Sequence, residues 1–428
     1  MADGTIYALA SAPGRAGVAV IRVSGPGAGP SVETLTGHRR PAPRQATLAR
    51  LAGIDEGLVL WFPGPASFTG EDVAEFQVHG GRAVVDAMLA ALAALPGLRP
   101  AEAGEFTRRA VENGKLDLTR AEAIADLVDA QTEAQRRQAL RQYDGALAEL
   151  YERWRADLVQ AGAWAEAGID FSDEDIPASV VADAKAKLSE ILEQIQRHLD
   201  DSSSGELVRE GIHLTVIGPP NAGKSSLVNA LARRDVAIVA ETAGTTRDVI
   251  EVRMDLGGYA VILADTAGLR ETEEAVEAEG VRRARARAKA SDLVLLLLNG
   301  SEAQDPALVD QADIVVWNKA DLPWPRQRAG LRLSLKTGEG LDALIAAITA
   351  KVRDRLETRG EAPVLSRPRH RHALEEAASA LTRALAARQP ELMAEDLRLA
   401  TRAIGRITGR VDVEELLGAI FKDFCVGK

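Results

Sequence analysis

The stretch Ile212-His-Leu-Thr-Val-Ile217, followed at once by Gly218-Pro-Pro-Asn221-Ala222-Gly223-Lys224-Ser225, decides the fold of the central part of the chain. Four apolar residues among the first six read as a buried strand, and residues 226–231 open a helix. A strand, a glycine-rich turn and a helix in that order make a P-loop, whose backbone N–H groups curl around a phosphate at the helix N-terminus. Gly223 permits the curl, Lys224 brings a point charge to the β- and γ-phosphate oxygens, and the Ser225 hydroxyl suits Mg2+. Asn221, Ala222 and Ser226 complete the nucleotide-binding turn, and Lys224 is its catalytic candidate.

Downstream, Asp265-Thr266-Ala267-Gly268 follows an apolar run at residues 261–264. A carboxylate there reaches Mg2+ through water, and the Gly268 N–H meets the γ-phosphate. Asn318-Lys319-Ala-Asp321 follows a second apolar run at residues 314–317. The Asp321 carboxylate accepts from guanine N1–H and the 2-amino group, donors that adenine lacks, so the expected base is guanine. A weaker last element is Ser334-Leu335-Lys336, where the Leu335 N–H is expected to meet guanine O6. Between the P-loop and Asp265 lies Gly244-Thr245-Thr246-Arg247-Asp248, and Thr246 is expected to close over Mg2+. Leu269 stands where a water-orienting glutamine would follow the glycine, so a carboxylate from the acidic stretch at residues 271–279 has to take that role. These residues together imply a GTP-hydrolysing domain over roughly residues 211–360.

With 428 residues, 46% of them hydrophobic, the chain has room for two or three cores at about 150 residues per domain. A net charge of −11 excludes a surface that coats nucleic acid non-specifically, so any nucleic acid has to bind a local patch. The single cysteine, Cys425, excludes an intrachain disulfide framework. The first residues lack the order of a signal peptide and the longest apolar run, residues 293–298, is too short for a bilayer, so a cytoplasmic protein with no membrane contact is expected. Strand-like runs at residues 18–23, 57–62 and 73–78 with a helix at 82–95 predict a small α+β domain. Helical spacing at residues 118–199 and again at 372–424 flanks the α/β part, with a polar linker expected at 200–205. His370 and His372 are expected in a solvated basic turn, and the basic run at 282–289 on a solvated helix.

Around these parts stand Pro13-Gly-Arg-Ala-Gly17, Arg22-Val-Ser-Gly25, Ser67-Phe-Thr-Gly-Glu-Asp72, His79-Gly-Gly81, Gly104-Glu-Phe-Thr-Arg108, Asn113-Gly-Lys-Leu-Asp-Leu118 and the terminal Phe424-Cys-Val-Gly-Lys428. In this conjunction the chain resembles the MnmE (TrmE) family of tRNA-modification GTPases over essentially its whole length. The resemblance implies a multidomain α+β and α/β fold. Its parts are an N-terminal dimerising, folate-binding-like α+β domain at residues 1–116, a discontinuous helical bundle at 117–206 and 363–428, and an inserted Ras-like P-loop GTPase domain at 207–362. It implies a GTPase that acts as a homodimer and with MnmG, a partner carrying FAD, to place a carboxymethylaminomethyl or aminomethyl group on C5 of the wobble uridine of certain tRNAs. A 5-formyl- or methylene-tetrahydrofolate would be bound by Arg22, Glu75, Lys115 and Lys428. The segment Ala240-Glu241-Thr242-Ala243-Gly244-Thr245 would wrap the nucleotide, with oxygens of Ala240, Thr242 and Thr245 joining Asn221 around K+. Glu277 matches the family's water-orienting glutamate, with Glu279 its competitor. Cys425 is placed near the folate as an acid or nucleophile, or as a tail residue shaped by packing; sequence leaves both open. The competing functions are a ribosome-assembly or signalling GTPase without modification activity, against which the N-terminal domain and the Cys-Val-Gly-Lys tail speak.

Overall fold

The computed structural model describes residues 4–170, 178–234, 236–238, 251–264, 291–300, 309–310, 312–322, 329–356, 365–411, 417–418, 420–422 and 424–427. Residues 240–246, Asp265, Thr266, Ala267, Gly268, Leu269, Glu277, Glu279, the basic run 282–289 and Lys428 lie outside them. The chain divides into two compact units, one of Met1–Ala125, Tyr143–Ser172 and Arg388–Lys428, the other of Asp126–Gln142 and Asp173–Ala387.

In the first unit six strands form one sheet in the order β3-β4-β5-β2-β1-β6. They are β1 (Thr5–Leu9), β2 (Ala16–Ser24), β3 (Thr47–Leu51), β4 (Asp55–Phe62), β5 (Val73–Gly80) and β6 (Leu98–Pro100). Helices α1 (Ala28–Thr36) and α2 (Arg82–Ala93) contribute Val32, Leu35, Met88 and Leu92 to a core with Ile21, Val59, Trp61 and Phe76. The period of two along each strand sends Ile21, Phe76 and Val59 into that core and their neighbours Arg22, Glu75 and Leu60 to the opposite face. That alternation is what frees a charged pair to line a site. Beyond α3 (Glu105–Glu112), helix α4 (Leu118–Asp129) starts on a side-chain cap, the Asp117 carboxylate accepting from the N–H groups of Thr119 and Arg120 at 2.9 and 3.1 Å.

The second unit holds a seven-stranded sheet in the order β13-β12-β11-β7-β10-β9-β8. Its strands are β7 (Ile212–Ile217), β8 (Ala237–Ile238), β9 (Glu251–Leu256), β10 (Tyr259–Ala264), β11 (Leu293–Asn299), β12 (Ile314–Asn318) and β13 (Leu331–Arg332). Central β7 pairs in parallel with β10 and β11, and every residue of β11 is buried, as expected of a parallel strand covered on both faces. The strand runs expected at 212–217, 261–264 and 314–317 all fall within these elements.

The two helical stretches meet in pairs. Within the first unit α6 (Ala146–Asp170) packs on the later helix Pro390–Thr408, and the Thr408 hydroxyl donates to Glu152 Oε1 at 2.7 Å. Within the second, after α5 (Glu133–Tyr143), α7 (Ala178–Glu210) packs on the later helix Pro368–Ala386, and Arg371 bridges to Glu206 at 2.7 Å. In chain order, α8 (Lys224–Ala232) and α9 (Leu341–Leu356) precede these two, which are α10 (Pro368–Ala386) and α11 (Pro390–Thr408).

Two expectations are corrected. The polar stretch 200–205 is no linker, because α7 continues through it to Glu210. Aspartate and serine cost a helix only about 0.5 kcal/mol each, less than is gained by seating Leu188, Ile191 and Ile195 in a core. His370 is no solvated residue; it is 1% exposed within α10, whereas His372 is exposed and meets Glu376 one turn later at 3.0 Å. Among the described residues no helix is long and apolar enough to cross a membrane.

Candidate functional site

The P-loop leaves the C-terminal end of β7 through backbone that few side chains tolerate. Gly218 has φ 151°, and a Cβ there would run into the Leu297 carbonyl oxygen. Asn221 (φ 60°) and Gly223 (φ 104°) are both left-handed, and α8 begins at Lys224. The free N–H groups of that first turn, with no side-chain cap of their own, make an anion site. Lys224 Nζ donates to the Gly218 and Pro219 carbonyls at 2.9 and 3.0 Å, so the ammonium is folded back over the loop. Ser225 and Ser226 are exposed in the same turn.

Asn318, at the end of β12, is buried and ties the phosphate loop to the segment at residues 334–336. Its Nδ2 donates to the Ala222 carbonyl at 2.8 Å, across 96 residues of sequence, while its Oδ1 accepts from the Leu335 N–H at 3.2 Å. The expected base contact of Leu335 is therefore not what its N–H makes here. Asp321 is exposed and accepts from the Ser334 hydroxyl at 2.7 Å. That hydroxyl first, then the residue's own N–H and the charges of Lys336 and Lys319, hold the Asp321 carboxyl below its ordinary value. Ser334 thus orients the carboxylate expected to meet the base, a role its position in the sequence did not reveal.

A Cβ on Gly223 would collide with Asn318 Nδ2, the atom that anchors the loop, and would also sit at a left-handed φ. Gly223→Ala is expected to weaken GTP binding about tenfold or more, since strain of this kind costs about 1–3 kcal/mol. Titration with a fluorescent GTP analogue checks it, and wild-type affinity would refute it.

A second candidate site lies in the N-terminal sheet, where a cavity of about 410 Å³ is lined by Arg22, Arg44, Phe68, Glu75 and Lys115, among others. Arg22 and Glu75 are direct cross-strand neighbours on β2 and β5, with Arg22 Nη2 2.8 Å from Glu75 Oε1. The Arg22 guanidinium also lies 5.6 and 5.8 Å from the ring centres of Phe68 and Phe106. Lys115 Nζ donates to the Pro65 carbonyl at 3.0 Å. Three of the four residues expected to bind folate are thus brought to one cavity from positions far apart in sequence. The tail comes to the same unit: Val426 bridges to Ala103, and the Gly104 N–H donates to the Cys425 carbonyl at 3.3 Å. Cys425 is exposed and is not among the residues lining the cavity.

Behind the cavity is a buried ionic network that sequence reasoning missed. Glu105, 1% exposed, receives Arg99 at 2.6 and 2.8 Å, Arg109 at 2.9 Å and the Glu102 N–H at 2.9 Å. Arg109, also 1% exposed, extends to Glu71 at 3.1 Å and to the Gly4 carbonyl at 3.0 Å. Ser24 donates to Glu71 at 2.7 Å, and Asn113 to the Thr69 carbonyl at 2.7 Å. The network thereby clamps the loop whose residues Ser67 and Phe68 line the cavity. Burial by itself would raise the Glu105 carboxyl, but the hydrogen bonds from Arg99, Glu102 and Arg109 outweigh it and hold the group at about 2.

Comparison with known proteins bears on both sites. The family described as the GTP-binding protein TrmE N-terminus matches residues 5–115, and the MnmE helical domain matches residues 118–425. The chain is 55% identical to the tRNA modification GTPase MnmE of Parvibaculum lavamentivorans, over 99% of this chain and 100% of that protein. It is 56% identical to the protein of the same name from Paramagnetospirillum magneticum, over 99% of each. Against that from Rhodospirillum rubrum it is 54% identical over the full length of both. With two family models that together cover residues 5–115 and 118–425, and relatives above 50% identity from end to end, the chain belongs to the MnmE family.

Proposed function

We propose that this chain hydrolyses GTP in order to drive addition of a carboxymethylaminomethyl or aminomethyl group to C5 of the wobble uridine of certain tRNAs, acting as a homodimer with the FAD-dependent partner MnmG. The observation that carries the reading is the presence, in one member of the MnmE family, of a guanine-type P-loop site and a separate cationic cavity. GTP hydrolysis alone has no need of the second.

In the nucleotide site Lys224 and the first turn of α8 take the phosphates, Asp321 the base, and Asn318 holds the two loops in register. Ser225 and Thr246 would hold Mg2+, and Asn221 with oxygens of Ala240, Thr242 and Thr245 would hold K+. Of these, Ser225 and Asn221 are described, and both are exposed at the P-loop with oxygen donors suited to hard cations. Bound there, the cations supply positive charge to the phosphate oxygens. Glu277 orients the attacking water in the place that Leu269 cannot fill. In the cavity Lys115 suits the carboxylates of a one-carbon tetrahydrofolate, and Glu75, aligned by Arg22 at 2.8 Å, accepts from its ring N–H groups.

The deciding measurement is mass analysis of wobble uridine in tRNA from cells lacking the chain. Loss of the C5 substituent is expected, and an unchanged modification would refute the proposal. GTP turnover is further expected to be faster in K+ than in Na+ at equal ionic strength, with equal rates refuting the K+ assignment.

A further inference from the structure

The cavity in the N-terminal sheet carries three cations, Arg22, Arg44 and Lys115, against one carboxylate, Glu75, on a chain whose net charge is −11. Arg22 is already matched by Glu75 at 2.8 Å. That leaves Arg44 and Lys115 as an excess of two positive charges in one concavity. Both are tethered to the same loop on consecutive peptides: Lys115 Nζ donates to the Pro65 carbonyl at 3.0 Å, and Arg44 Nη2 donates to the Ala66 carbonyl. Successive residues are about 3.8 Å apart, so the two cationic heads are held at one rim of the cavity.

The backbone at Arg44 is unusual as well. Its φ is +61°, a left-handed conformation that disfavours a side chain as large as arginine. It is fixed there by donation of the Arg44 N–H to the Trp61 carbonyl at 2.8 Å and by a turn from Ala42 to Gln45 at 3.2 Å. Strained backbone of this kind accumulates at ligand clamps, where the surrounding structure holds a side chain in a set direction. The guanidinium uses Nη2 on the Ala66 carbonyl, and among the described residues its Nε and Nη1 make no hydrogen bond.

We infer that Arg44 is a further ligand-binding residue of this cavity, which together with Lys115 takes the carboxylates of the ligand's glutamate end and favours glutamate-bearing folates over forms that lack it. The inference rests on the folate reading above. A glutamyl end carries two carboxylates, matching the two unmatched cations, and each added γ-linked glutamate brings one further negative charge to the rim. With Nε and Nη1 making no hydrogen bond among the described residues, the Arg44 guanidinium keeps directional, charge-assisted donors for a carboxylate, which the point charge of a lysine lacks.

The test is isothermal titration of the full chain with 5-formyltetrahydrofolate, its triglutamate and the corresponding pteroate, which has the same ring system and no glutamate. The wild-type chain is expected to bind the triglutamate most tightly and the pteroate most weakly. Arg44→Ala should weaken the two glutamate-bearing ligands about tenfold, the effect of losing one charge-assisted hydrogen bond at an exposed site, and leave the pteroate unchanged. Arg44→Gln, which keeps an amide donor but carries no charge, should behave in the same way, and Arg44→Lys should recover part of the loss. Equal weakening of all three ligands by Arg44→Ala, with Arg44→Gln restoring them, would make Arg44 only an anchor of the loop and overturn the inference. Unchanged binding in every variant would overturn it too, while leaving the folate reading intact. A wild-type chain that binds none of the three ligands would overturn the folate reading and this inference together.

Discussion

Asp321→Asn is expected to lower GTP affinity by at least a hundredfold and to create affinity for xanthosine triphosphate. The Asp321 carboxylate is exposed just after β12 and is aligned by the Ser334 hydroxyl at 2.7 Å. Guanine presents two donors to such a group, N1–H and the 2-amino group, and each hydrogen bond to a charged acceptor is worth about 1.5–3 kcal/mol. Asparagine keeps the shape but turns one acceptor oxygen into a donor, which faces a donor of guanine and leaves both unpaired. Xanthine carries a carbonyl where guanine carries its amine, so the same amide meets an acceptor. The swap thus converts a loss for one base into a gain for the other, which a merely damaged site would not do. Competition titration with the two nucleotides checks it, and retention of wild-type GTP affinity would remove Asp321 from base selection.

Glu105→Ala is expected to destabilise the N-terminal unit by about 3–5 kcal/mol, the usual cost of removing one partner from a buried ion pair. Glu105 and Arg109 are each 1% exposed, and deletion of the carboxylate removes the acceptor of Arg99 and of Arg109 together. Acid should have the same consequence in the wild-type chain. The Glu105 carboxyl is held at about 2 against an ordinary 4.5, so the folded state binds its proton less readily than the unfolded state. The stabilisation from this shift, about 3 kcal/mol, is fully present above pH 4.5 and is lost as pH falls towards 2. Urea unfolding followed by circular dichroism between pH 6 and pH 2 reads both effects. The variant should start less stable and show a shallower decline over the acid part of the range (about pH 4.5 to 2). A variant as stable as wild type at neutral pH would show that Arg99 and Arg109 find other partners.

What could be read from the sequence and what could not divide along a physical line. The P-loop turn and the strands at 212–217, 261–264 and 314–317 were legible, because each depends on residues within one turn or one strand of each other. The misread stretch 200–205 shows the opposite case: its residues favour a break locally, but α7 is held through them by Ile191 and Ile195 on one side and the Arg371–Glu206 bridge on the other. Glu105 and Arg109 stand four residues apart on α3, a spacing that on most helices marks an ordinary solvated pair. What makes them a buried clamp is Glu71, 38 residues away, and the Gly4 carbonyl, 105 residues away. The same holds for Ser334, which acquires its role only when β12 and β13 lie side by side and bring it to Asp321. The sequence by itself determined which chemistry the chain carries, since donor and charge patterns are properties of side chains and their near neighbours. Only the tertiary structure decided which of those groups are buried, paired or left open to a ligand, because desolvation and pairing depend on atoms that sequence distance does not reveal.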